Sequence, residues 1–414
     1  MIFSWVIILL SVSFFAYVYR RDRKIGLLLA SAFFIRIFAA LVHHYVFILP
    51  AGCCDAVKFE LWAWEWSQSS STILAPEFFI PTSSYVISWM GAVLYNLIGR
   101  EPFVLQLINL LIGTATVYVV YRMAVVFLMP KTALICAWIY AMHPSIIEHS
   151  VVFLREAFII FFMSLALLQV LFWLRDKRVR NAVYAMIFFA LSGLFHGAMY
   201  LGGALFFFIL AIHTLMDSTN QLKDLKMSPR LLLLLTTLFL AVAILVQFSI
   251  TYIPKIGSIA TLADAEELAD RISVASSNRS TGTTAYLTQW TINSPTDLVL
   301  QAPVRFVYFL YSPFPWDISA IRHLKGFLDS GFLFFITFLM IKYRKRLWSN
   351  LYLRYLLFFL IFYVMVFSMG TSNVGSAIRH KSKFLPIFVL FYGLKDYPIY
   401  YIRSIVSDDG STKN

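Results

Sequence analysis

Apolar stretches long enough to cross a bilayer recur along this chain, and short clusters of Lys and Arg interrupt them. A helix needs about 20 predominantly apolar residues to span the hydrocarbon core. Runs over 2–18, 26–48, 103–121, 132–147, 153–174, 181–196, 198–217, 231–252, 323–342, 351–369 and 384–397 approach or meet that length. Only 13% of the 414 residues are charged and 60% are apolar, whereas an ordinary soluble domain carries roughly 25% charged residues. Too few charges remain to cover a water-facing surface. The same numbers exclude disordered, collagenous, coiled-coil and disulfide-scaffold classes. The expected fold is all-α: a polytopic membrane helical bundle of about eleven spans, with juxtamembrane helices on its outer face.

The net charge of +13 would suggest nucleic acid in a soluble protein. Here the cations sit between apolar runs, so they report topology and imply no nucleic-acid partner. The clusters are Arg20 to Lys24, Arg122 with Lys131, Arg175 to Arg180, Lys223 to Arg230, and Lys342 to Arg346. Charges follow the first apolar run rather than precede it, without a small-residue cleavage site, so that run reads as a retained span with its N-terminus outside. If every cluster is cytoplasmic, each interval between clusters holds an even number of spans. That parity makes 85–98 a juxtamembrane helix on the outer face. The expectation is one transmembrane domain over 1–414 in the inner or plasma membrane. It has an extracytoplasmic loop at 50–102, a second such segment at 254–322 and a cytoplasmic tail at 398–414. The second segment contains an amphipathic helix over 261–275 and a polar loop over 276–284. Cys53, Cys54 and Cys136 form neither a disulfide framework nor a metal spacing.

Charges near a bilayer are costly, so clusters of them mark candidate sites. Asp55 opens the first outer loop, ahead of an aromatic helix that also carries Lys58 and Glu60. It reads either as a helix N-cap or as a general base toward a hydroxyl. Arg155 and Glu156 open the span at 153–174, either as a structural pair or as a second acidic site facing Asp55 and orienting an acceptor or a cation. A late turn, Asn373 to Lys383, carries Arg379, His380, Lys381 and Lys383 on the side where the charge rule expects few cations. Either it holds an anion such as phosphate, or the loop is cytoplasmic. Arg305 either joins that phosphate site or snorkels. His196 reads as a hairpin-turn residue or a ligand. No zinc, P-loop or dinucleotide motif occurs.

These residues also carry a family signal. Asp55 with its aromatic helix, the stretch 81–99 and the following Leu/Ile-rich span resemble the first outer loop of the GT-C glycosyltransferases. The nearest branch is that of the protein mannosyltransferases and aminoarabinose transferases. LQLINLLIGTATVYVVYRMA, AWIYAMHPS and LRE are similar too, and Asn373-Val374-Gly375 with Arg379-His380-Lys381 resembles the closing motif of bacterial members from polysaccharide clusters. The resemblance implies transfer of a sugar, with inversion, from a polyprenyl-phosphate donor to an acceptor hydroxyl on a glycan, lipid or protein at the extracytoplasmic face. By position, Asp55 would be the catalytic base and Glu156 the second acid, with Arg379, His380 and Lys381 toward the carrier phosphate. Many members carry a paired Asp-Glu in the first loop; here Ala56 follows Asp55 and Glu60 lies further on, which leaves Glu60 and any divalent cation open. No other cofactor is implied. On physical grounds a carboxylate at an apolar interface is expected to have a raised pKa. A surface-polysaccharide repeat-unit polymerase using lipid-linked oligosaccharide is the near alternative. A flippase or transporter without catalysis is the other.

Overall fold

The computed structural model describes residues 2–68, 85–221, 252–253, 257–258, 265–277, 285–318 and 321–396. The expected span at 231–252 lies almost wholly outside these, as do residues 278–284 of the polar loop and the tail at 398–414.

Two helices open the chain, α1 (Ile2–Arg21) and α2 (Arg23–Tyr45). Asp22 between them accepts the backbone N–H of Lys24 at 2.9 Å and of Ile25 at 3.1 Å, satisfying donors that a first helical turn leaves open. Next come α3 (Asp55–Ser67) and α4 (Val86–Ile98), of 13 residues each. At 1.5 Å per residue each is roughly 20 Å long, below spanning length. Then follow α5 (Pro102–Ala124), α6 (Pro130–Met142), α7 (Pro144–Val151), α8 (Glu156–Asp176), α9 (Val179–Phe195) and α10 (Tyr200–Gln221). A two-residue antiparallel ladder pairs Tyr252–Ile253 with Gly257–Ser258. The remainder comprises α11 (Ala265–Ser277), α12 (Pro295–Tyr311), α13 (Ile321–Lys342), α14 (Arg344–Ser349), α15 (Leu351–Met369), α16 (Val374–Lys381) and α17 (Leu385–Phe391).

Among the described residues seven helical stretches are long and apolar enough to cross a membrane: α1, α2, α5, α8, Gly197–Thr214, His323–Lys342 and α15. The protein is an all-α integral membrane bundle. Its centre is α5 and α8, whose spanning stretches are 72% buried within the protein, against 17% for α1.

Three expected spans among the described residues are not among these seven. The one at 181–196 is α9, 17 residues long and just short of the usual span. The run at 132–147 is not one rod, because α6 stops at Met142 and α7 restarts at Pro144. Proline has no N–H and its ring excludes a continuous turn. Buried Arg36 repairs the break, donating to Ala141 O at 3.1 Å, Ser150 Oγ at 3.1 Å and Ala32 O at 2.9 Å. Gly113 lets α7 lie against α5, since a Cβ there would stand 2.4 Å from Ser150 Cβ. The last run begins earlier than expected. A 3-10 turn at Ser382–Phe384 joins α16 to α17, and a second at Tyr392–Asp396 extends it, so helical structure is continuous from Val374. Every residue of α17 is buried, which places it inside the bundle rather than against lipid.

The connectivity sorts the charges. Arg20 to Lys24 form the α1–α2 turn, Arg122 ends α5, and Arg175 and Asp176 end α8. At the other end Ser4 Oγ donates to Glu101 Oε1 at 2.5 Å, tying the start of α1 to the start of α5. The α2–α3 loop and the start of α8 lie at that end as well. The 21 residues of α8 separate the two ends by roughly 31 Å.

Candidate active site

Asp55, Glu156 and Arg379 meet at the end away from the basic clusters. Arg379 Nε donates to Glu156 Oε1 at 2.6 Å, Nη2 to Oε2 at 3.1 Å, and Nη1 to Asp55 Oδ2 at 2.5 Å. Local structure aims each group. Asn373 caps α16, accepting the N–H of Gly375 at 2.9 Å and of Ser376 at 3.4 Å, and this sets the helical phase of Arg379. Cys54 holds the N-cap position of α3 with a φ of 59°. Asp55 is therefore the first helical residue, and its carboxylate goes to Arg379 rather than capping its own helix. Glu148 fixes the loop just ahead, accepting from Ala51 N at 2.7 Å and pairing with Lys325.

The two carboxylates differ in access. The side chain of Glu156 is 1% exposed and that of Asp55 46%. Lys383 gives Glu156 a second cation, with Nζ 3.7 Å from Oε1 and 2.7 Å from His380 Nδ1. Sequence reasoning placed Lys383 in the cationic turn but not beside Glu156, which it reaches from the 3-10 turn that follows α16.

Burial pushes the Asp55 carboxyl up, but the charge and hydrogen bond of Arg379 outweigh it and hold the group below the usual Asp range. The expected upward shift is thus reversed. Arg379 responds in kind. Burial disfavours its charge, and Glu156 and Asp55 overcome that penalty, so its pKa rises. His149 on α7 is wholly buried and pushed down to about 4, with Glu156 opposing the shift, so it is neutral at pH 7.

Arg155 behaves differently from its neighbours. It is buried, its guanidinium lies 5.2 Å from the centre of the Phe59 ring, and Nε and Nη1 have no hydrogen-bond partner among the described residues. Glu156 and Asp55 act on this cation through space, but buried donors are normally hydrogen-bonded, so the two unused ones leave room for an acceptor. Glu156 bonds Arg379 rather than Arg155. Phe153 and Phe158, which flank Arg155 in sequence, line an apolar groove of about 150 Å³ together with Ile87, Gly91, Leu94 and Leu105.

The other expected site residues are engaged elsewhere. Glu60 accepts from Tyr95 at 2.9 Å and from Arg100 at 3.0 and 2.9 Å, strapping α3 to the end of α4. Lys58 is exposed on α3. Arg305 neither snorkels nor joins the cluster. It is buried and donates to Gln301 at 3.0 Å, Ser276 at 3.1 Å and Trp290 O at 2.5 Å. Lys381 is buried and donates to Leu310 O and Ser312 O at 3.2 Å and to Ser330 Oγ at 3.0 Å. Burial brings its pKa down to about 8, with Asp329 opposing. Residues two apart on a helix stand about 200° apart, so Arg379 and Lys381 face opposite ways, and the single anion turn expected over 379–381 is divided. His196 is buried at the turn after α9, its ring 5.8 Å from that of His380 and 5.2 Å from that of Phe367. Among the described residues no group of three or more His, Cys, Asp or Glu side chains is placed to hold a metal ion. The Arg379 guanidinium bridges the two carboxylates.

No protein-family model matches the chain, and no curated protein matches it. Among solved structures it is similar to the apo-form oligosaccharyltransferase of Archaeoglobus fulgidus. The identity is 15% and the TM-score 0.48, over 93% of this chain and 52% of that one. It is also similar to the archaeal oligosaccharyltransferase AglB from Archaeoglobus fulgidus in complex with an inhibitory peptide and a dolichol-phosphate. There the identity is 13% and the TM-score 0.47, over 96% and 53% of the two chains. This chain spans about half the length of both.

Proposed function

We propose that the protein is a membrane glycosyltransferase that moves a sugar from a polyprenyl-phosphate donor to an acceptor hydroxyl, with inversion, and that Asp55 is its general base. The observation that carries this reading is the placement of three unlike elements side by side. They are a half-exposed carboxylate, a buried guanidinium with two unused donors, and an apolar groove lined by Phe153 and Phe158, which flank Arg155 in sequence. The first part of the polyprenyl tail enters the groove of α4, α5, Phe153 and Phe158, the rest lies in the bilayer, and Arg155 receives its phosphate. Asp55 takes the proton as the acceptor oxygen bonds to the anomeric carbon. The bond from that carbon to the phosphate oxygen breaks on the opposite face. Charge then grows on the leaving phosphate, where a fixed, desolvated Arg155 is most effective. Arg379 and Glu156 hold Asp55 in place, and the positive-inside rule sets this end on the extracytoplasmic side.

The direct test is an assay of the purified protein with a panel of polyprenyl-phosphate sugars. Product size then distinguishes transfer of single sugars from joining of oligosaccharide repeats. Within that assay, Arg155→Gln is expected to raise the donor KM by about tenfold or more, the equivalent of one lost charge-assisted hydrogen bond. Val93→Trp, which fills the groove on the α4 side, is expected to do the same with kcat retained. An unchanged donor KM in both variants places the lipid phosphate elsewhere.

The low pKa of Asp55 has a pH consequence. A depressed carboxylate stays in its base form below the ordinary Asp value of about 3.9 and is protonated only as pH falls through its lower folded value. The acid limb of kcat/KM for Asp55 is therefore expected below about pH 4. A limb centred above pH 5 would show that Arg379 does not hold this carboxylate in the working enzyme.

A further inference from the structure

A second groove, of about 910 Å³, runs between α1, α2 and α5. That is within the roughly 300–1,000 Å³ typical of ligand sites. It exists because α1 leans on α2 and stands away from α5, with only 17% of its spanning stretch buried. Phe14, Phe15, Leu29, Leu111, Ala115 and Phe161 make its walls. Its far end closes on Tyr17, Arg21, Asp22 and Tyr118.

That end is cationic from two directions. The Arg21 guanidinium lies 5.5 Å from the Tyr17 ring, with Arg20, Arg23 and Lys24 exposed beside it. On the facing helix, Arg122 donates to the Tyr118 hydroxyl at 3.3 Å. Asp22, the one acid among the described residues that line the groove, is engaged in capping α2. A channel that is apolar along its length and positive at one mouth fits an acyl chain ending in an anionic headgroup. The donor of the sugar-transfer reading is a poor fit here. The 23 residues of α2 put this mouth roughly 35 Å from the Asp55 end, so a lipid whose phosphate meets Arg155 cannot place it at Arg21.

We propose that this groove holds a resident anionic phospholipid, its acyl chain against Phe14 and Leu111 and its phosphate between Arg21 and Arg122. The proposal stands apart from the sugar-transfer reading. By the positive-inside rule the lipid comes from the cytoplasmic leaflet, which is the anionic one.

The test uses the full chain in detergent micelles doped with equal amounts of phosphatidylglycerol and phosphatidylcholine of matched chains, read by native mass spectrometry. The wild type is expected to retain one phosphatidylglycerol with a preference of about tenfold or more over phosphatidylcholine. Arg21→Gln combined with Arg122→Gln should bring that preference close to one. Ala115→Trp, which narrows the groove at its wall without touching a charge, should reduce retention of phosphatidylglycerol severalfold. Equal retention of both lipids by the wild type overturns the proposal, and so does undiminished phosphatidylglycerol in a folded Ala115→Trp variant.

Discussion

Replacing Asp55 by Asn is expected to lower sugar transfer by about 10²- to 10⁴-fold, the range a positioned general base supplies, while the protein stays folded. The side chain is 46% exposed and makes one bond, to Arg379 Nη1. Asparagine keeps an acceptor oxygen for that bond but cannot take a proton from an attacking hydroxyl. Arg379 retains both bonds to Glu156, so its geometry survives. Exposed ion pairs contribute about 0–1 kcal/mol, and the thermal midpoint should move little. Turnover with a polyprenyl-phosphate sugar and a thermal scan on the same sample decide the matter. A rate within a few-fold of wild type removes Asp55 as the base.

Glu156→Gln should do the reverse and act first on stability. Glu156 is 1% exposed and balances Arg379 and Lys383, the latter fully buried. Removing its charge leaves two cations facing each other in a desolvated pocket. Breaking a buried pair from one side costs on the order of 3–5 kcal/mol, so a large drop in thermal midpoint is expected. Adding Lys383→Met removes one stranded cation and should recover part of the loss, because residues sharing one network are not additive. A Glu156→Gln protein that melts like wild type would mean that this carboxylate is not what neutralises the cluster.

The parts of the fold that follow from local chemistry were readable in the residues. Apolar runs marked the seven spanning stretches of the described residues, whereas the break that Pro144 makes between α6 and α7 was read through as one span over 132–147. Asp55, Glu156 and Arg379 stood out because each is a charge at the edge of an apolar run. Their partners did not, since choosing between a phosphate and a carboxylate for Arg379 depends on which helices surround α16. Arg379 and Lys381 adjoin in sequence, and only the phase set by the Asn373 cap shows that they diverge. The isolation of Arg155 is likewise a fact of packing. Beside Glu156 it looks like half of a hydrogen-bonded ion pair, but in the folded protein both carboxylate oxygens bond Arg379 and Arg155 acts on Glu156 only through space.

The bond from Arg379 to Asp55 joins positions 324 residues apart. A chain emerging from the ribosome inserts its first carboxylate long before the arginine that engages it has been made. Until α16 arrives, Glu156 has neither of its cations and Asp55 has no anchor. On the sugar-transfer reading, the order of synthesis therefore leaves the site unassembled until α16 is in place.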